Sequence, residues 1–147
     1  MNRRNALLAL TLPLAAFACP STPAPPTSPT PTLELRVVAT GGTAYVHSGE
    51  TLHLGPPTTF HVSRAYETSN ALGLPALGFE IAPEERDAFT AYTETLVDER
   101  VALLVAGEVL SVPRIVAPVP GTGIIDSGGE GFEPGDLERW VHLLQPQ

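Results

Sequence analysis

Four histidines, His47, His53, His61 and His142, are the side chains of this 147-residue sequence best suited to general-base or metal-ligand work near neutral pH. No two of them stand at the four-residue helical spacing of a zinc motif, and the single cysteine, Cys19, has no second thiolate to complete a soft site. The serines Ser48, Ser63, Ser69, Ser111 and Ser127 all lack the Gly-x-Ser-x-Gly setting of a nucleophile elbow. Gly121, Gly123, Gly128, Gly129 and Gly131 crowd one stretch, but a Walker-type phosphate loop needs a lysine, and every basic residue here is arginine. The expected role of these glycines is to turn the chain on either side of a short strand around Ile124 and Ile125. Asp126, Glu130, Glu133 and Asp136 do not follow the spacing of an EF-hand loop. Glu84 and Glu85 suit the positive end of a helix dipole, and Glu138 and His142 a solvent-side pair on one helix. No catalytic residue, cofactor or metal ligand is therefore assigned. A hydrolase or metal protein would require His47, His53 and His61 to converge within ligand distance.

The elements that would position these residues are most legible between Phe79 and Leu144. Pro83 can occupy a first helical position, where its missing N–H costs nothing, and Glu84, Glu85 and Asp87 follow it. Phe89, Tyr92 and Leu96 recur at three- and four-residue steps, so the spacing predicts a helix from Pro83 to Val97 with one apolar face. Val101 to Val105 is a short apolar run that reads as a strand covered on at least one side. Gly107 marks a reversal, and Val109 to Val112 returns as its partner until Pro113, which cannot donate a ladder hydrogen bond. Leu137, Trp140, Val141 and Leu144, opened by Pro134, give a second amphipathic helix with Trp140 in the core.

The order of these elements is specific. Phe89 and Thr93, then Val101, Ala102, Gly107, Val109, Ser111, Pro113, Ile115, Gly123, Ile125, Gly129, Gly131 and Phe132, succeed one another as in a known family. The block resembles the head subdomain of the first periplasmic domain of the SecD and SecDF protein-export proteins. Two positions depart from that family. Ala106-Gly107 stands where an Asp-Gly turn is usual, and Asp98 where a helix-ending Gly is usual, although Asp tolerates the left-handed conformation better than most residues. The resemblance implies contact between this domain and an emerging preprotein, with motion in the family driven by proton flow through a membrane part. No stretch of the mature region is apolar for long enough to cross a bilayer as a helix.

Residues 1–18 read as an export signal: Arg3 and Arg4 form a positive start and Ala6 to Ala18 a short apolar stretch. Ala16-Phe17-Ala18 fits ordinary signal peptidase, whereas Cys19 sits where a lipoprotein is cleaved and acylated, in an imperfect lipobox with Ala16 and Phe17 before it. The lipoprotein reading is preferred, with Cys19 as the lipidation site, because Cys19 is the only cysteine and the segment after it has the composition of a tether. From Pro20 to Thr32 nearly every residue is Pro, Ser, Thr or Ala, which favours extended polyproline geometry. At about 3 Å per residue, residues 19–32 would reach on the order of 40 Å from a lipid surface. The alternative is a plain disordered start on a secreted protein.

The chain is formally −8, and loss of Arg3 and Arg4 with the signal leaves about −10, which excludes nucleic acid and anionic headgroups as natural partners. Leu33, Leu35, Val37 and Ala39 alternate with Glu34, Arg36 and Val38 as an opening strand, which Gly41-Gly42 is expected to break. Thr51 to Leu54 reads as a short strand, Phe60 to Thr68 as a short helix or turn, and Asn70 to Gly78 as a loop leading into a strand at Phe79 to Ile81. The expected fold is one α+β domain over residues 33–147, with an antiparallel or mixed sheet of about four to six short strands and two helices on one face. The expected core includes Val37, Tyr92, Val109 and Val141. The expected function is that of a non-enzymatic, envelope-anchored lipoprotein facing the periplasm, held to the membrane through Cys19. It would bind unfolded or secreted polypeptide, or a translocase component. The alternative is a structural or regulatory lipoprotein that docks on a folded envelope partner.

Overall fold

The computed structural model describes residues 30–129 and 131–146. The expected signal, cleavage site and lipidation site Cys19, with most of the expected tether, lie outside the described residues. Among the described residues seven strands and two α-helices are arranged in the order β1 (Thr32–His47), β2 (Glu50–Leu54), β3 (Thr58–Ser69), β4 (Pro75–Ile81), α1 (Arg86–Thr95), β5 (Val101–Val105), β6 (Glu108–Ser111), β7 (Thr122–Ile125) and α2 (Pro134–Leu144). A 3₁₀ turn at Pro83–Glu85 leads into α1. The sheet runs β6-β5-β1-β3-β4-β7 with every pairing antiparallel, and β2 pairs with the outer part of β1. The α+β class and the two helices on one face are as expected. Phe89 and Leu96 of the α1 region share one apolar cluster with Leu137, Trp140 and Leu144 of α2.

Three expectations for the first half of the chain need correction. Gly41-Gly42 does not end β1. It forms an irregularity at which β1's pairing with Leu54 passes from Val38 to Thr43, folding the strand back as a hairpin with β2. Gly41 has φ +89°, and a Cβ on Gly42 would lie 2.1 Å from the Leu54 carbonyl oxygen. Only glycine permits that approach. Phe60 to Thr68 is neither helix nor turn but most of β3. Phe60 and Val62 point into the core at period two, then a register shift between Val62 and Arg64 makes Ala65 the next buried residue. The shift breaks the alternation that would have marked the strand.

The loop after β3 is also shorter than expected, because β4 begins at Pro75. Asn70 closes it with its own side chain: Oδ1 accepts from the N–H of Leu72 at 2.9 Å and of Leu74 at 3.0 Å. Gly78, which looked like loop sequence, lies inside β4 because the Tyr66 ring covers it; a Cβ there would approach that ring to 2.3 Å. The strands are thus more numerous and, at 16 residues for β1 and 12 for β3, longer than expected.

β5 is buried along both faces. Val101, Leu103 and Val105 join the large cluster beneath the helices, while Ala102 and Leu104 join Leu52 and Leu54 of the folded-back hairpin in a second, smaller cluster. Val37, Tyr92, Val109 and Val141, expected in the core, are only partly buried and pack against its rim. The β5–β6 turn keeps positive φ at both central residues, +50° at Ala106 and +82° at Gly107, as the twist of a two-residue hairpin requires. Asp98 adopts φ +71° after α1, so the left-handed cap survives the loss of glycine.

Candidate functional site

The structure disperses the histidines. His47 ends β1 beside an open cleft of about 440 Å³ that Ser127 and Asp136 also line, yet no hydrogen bond joins His47 to either among the described residues. His53 on β2 directs Nδ1 to the Gly42 carbonyl at 3.3 Å, and His142 lies exposed on α2. Among the described residues no three His, Cys, Asp or Glu side chains are arranged to hold a metal ion.

His61 has a structural partner that sequence alone did not indicate. Its backbone N–H donates to Glu85 Oε2 at 2.7 Å, and its ring Nδ1 lies 2.6 Å from Oε1. These hydrogen bonds hold the Glu85 carboxyl below its ordinary value, with a smaller charge contribution from His61 opposed by partial burial. Glu85 therefore clamps the start of α1 to β3. The spacing of 24 residues between the partners conceals the pair in the sequence.

The most apolar concavity lies elsewhere, on the helix-covered side of the sheet. It is a cleft of about 250 Å³ lined by Leu33 and Leu35 of β1, Leu103 of β5, Phe79 of β4, Phe89 of α1, and Gly123, Ile124 and Ile125 of β7. The segment Pro113 to Val119 forms its other wall. Phe89 packs edge-on against Phe60 at 5.0 Å and against Phe79 at 6.0 Å, which fixes the cleft floor. Thr93, 1% exposed, secures the wall: its hydroxyl accepts the Val119 N–H at 2.9 Å and donates to the Thr90 carbonyl at 3.0 Å. The wall is held at its start by the Asp98 N–H, which donates to the Ile115 carbonyl at 2.7 Å. At its end the Ile81 N–H donates to the Gly121 carbonyl, also at 2.7 Å.

Val116, 80% exposed, stands at the cleft mouth, while Ile124, 55% exposed, projects from the opposite face of β7, since its neighbours Gly123 and Ile125 pair with the core residues Phe79 and Leu77. The sequence marked Phe89, Thr93, Ile115, Gly123 and Ile125 as a series, but not that they enclose one cleft. Leu33 and Leu35 reach it only because β1 pairs with β5, a contact across more than sixty residues of chain.

No protein-family profile matches the chain, and no curated protein matches it. Solved structures do resemble it, among them two of SecDF. One, of a membrane component SecDF that enhances protein export, superposes with a TM-score of 0.60 at 20% identity over 78% of this chain and 62% of that one. The other, SecDF in a super-membrane-facing form, gives 0.58 at 22% identity over 78% of this chain and 18% of that one. The chain thus spans less than two thirds of the length of either. Among the described residues no helix is long and apolar enough to cross a membrane. At this level of identity the likeness is one of architecture, and it agrees with the residue order from Phe89 to Phe132: the chain carries a SecDF-like α+β domain.

Proposed function

We propose that this chain is a non-enzymatic, envelope-anchored lipoprotein whose SecDF-like domain binds extended polypeptide in or near protein export. One observation carries the reading. The chain leaves Val116 exposed at the mouth of a cleft walled almost wholly by apolar side chains. At about 250 Å³ the cleft is smaller than the roughly 300–1,000 Å³ usual for small-molecule and cofactor sites, and it lacks their convergent polar groups. It suits the side chains of a passing chain. The matched SecDF is a protein that enhances export, which supports the same direction.

Cys19 carries the lipid, and the residues between Cys19 and β1 form the tether that holds the domain away from the membrane, outside the cytoplasm. Mass spectrometry of the mature N-terminus should find a diacyl or triacyl mass on Cys19; a free Cys19 or another start removes the anchor. Binding is tested with a photocrosslinker placed at Val116 in intact cells. Recovery of unfolded, newly secreted chains supports the reading, and recovery of nothing, or of a single folded envelope protein, refutes it.

A further inference from the structure

We propose that the cleft is used by strand addition: an extended segment with alternating apolar residues and basic flanks pairs with the free edge of β7. This rests on the polypeptide-binding reading and specifies its geometry. Among the described residues β7 pairs only with β4, in regular register from Thr122 to Ile125, so alternate main-chain N–H and C=O groups along it face away from the sheet. The other sheet edges are blunted. β6 carries a register irregularity against β5, begins at exposed Glu108 held by Arg139 at 2.9 Å, and is followed by Pro113. β2 presents Glu50 and His53 to solvent. β7, Thr-Gly-Ile-Ile, is short and lies between Pro120 and Asp126, but within its pairing register it has no charge, proline or bulge, three of the devices by which natural edges resist pairing.

The edge is also shaped for an occupant. Gly123 lies against the Phe79 ring, where a Cβ would come within 2.8 Å, so β7 sits tight on the cleft floor. An added strand has a side-chain period of two, which sends every second residue to the cleft side, beside Gly123, Ile125 and Val116, and sets the others alongside the exposed Ile124 on the opposite face. The occupant is a foreign chain with basic residues rather than a second copy. Sixteen acidic against eight basic residues give a formal charge of −8, so two copies repel while basic flanks are attracted.

The test uses the full chain and a synthetic peptide of alternating Val and Thr with Arg at both ends. N-methylating alternate amides in one phase should weaken binding about tenfold or more, and in the other phase much less, because only one set of N–H groups can face β7. Replacing the Arg flanks by Glu should weaken binding at least about tenfold, as should the protein variant Ile124→Lys. Equal sensitivity to the two methylation phases overturns strand addition while leaving cleft binding in place. Failure of the parent peptide to bind, together with no crosslink from Val116, overturns the polypeptide reading itself. A dimer in sedimentation that Ile124→Lys dissolves overturns the assignment of a foreign chain.

Discussion

The two faces of β5 are covered by different means. On one, Val101, Leu103 and Val105 lie under two helices in a large cluster that also lines the cleft. On the other, Ala102 and Leu104 lie under a hairpin of the same sheet, in a cluster with only Leu52 and Leu54 among its other buried residues. The helix-covered face is built from periodic segments that would be amphipathic wherever they stood. The hairpin-covered face exists because two glycines let β1 fold back. One strand therefore belongs to a robust core and to a small satellite that forms only where the Gly41-Gly42 fold-back brings β2 over β5.

Breaking the larger face should cost most. Phe89→Ala removes the ring that contacts both Phe60 and Phe79, and should destabilise the fold by about 3–5 kcal/mol, read from denaturant midpoints. It should also enlarge the cleft and alter peptide affinity. Gly42→Ala attacks the satellite alone, by driving a Cβ into the Leu54 carbonyl. We expect a loss of about 2 kcal/mol, within the range for named backbone clashes. Amide exchange should speed across the β1–β2 hairpin, with the cleft unchanged; uniform loss of protection would show that the two faces are one cooperative unit.

The junction between the faces can be strengthened. Ala106 is exposed at φ +50°, a conformation that costs a residue with a Cβ about 1 kcal/mol, so Ala106→Gly should stabilise the β5–β6 turn by up to that amount. Asn in its place should recover part of the gain, and a drop in melting temperature for both variants would refute the turn assignment.

The smallest expected effect is the acid response of the His61–Glu85 clamp. The Glu85 value is lower in the folded than in the unfolded chain, so the carboxylate contributes stability at pH above the ordinary 4.5. That contribution is lost as pH falls below 4.5 through the folded value. Because Glu85 is 28% and His61 49% exposed, the effect should be well under about 1 kcal/mol. Comparing Glu85→Gln with the parent should show a stability gap near neutral pH that narrows in acid; a constant gap would mean the clamp acts by packing alone.

The helix-side elements were legible because each announces itself locally. Pro83 and Pro134 open helical segments, Phe89 and Leu96 lie on one helical face, and Gly107 reverses a hairpin. The β1–β4 region was less legible for equally local reasons. An irregularity after Val62 interrupts the period of β3, Gly78 looks like loop until the Tyr66 ring is seen over it, and Gly41-Gly42 reads as a stop when it is a fold-back. Each of these irregularities is stabilised by a partner on another strand, which no window along the chain contains. The His61–Glu85 clamp was hidden in the same way.

By itself, the amino-acid order determined the α+β class, the two helices on one face, the β5–β6 hairpin, and the series of residues shared with the SecD and SecDF head. These arise from short-range rules: side-chain periodicity, capping and turn stereochemistry. Tertiary structure alone decided that Leu33 and Leu35 line the same cleft as Ile125, that Thr93 pins the wall opposite, and that β6 and β7 stand at the two edges of the sheet. Those are properties of strand order and register. Both are set by how buried faces from distant segments fit together, and a one-residue slip would invert every side chain in the strand.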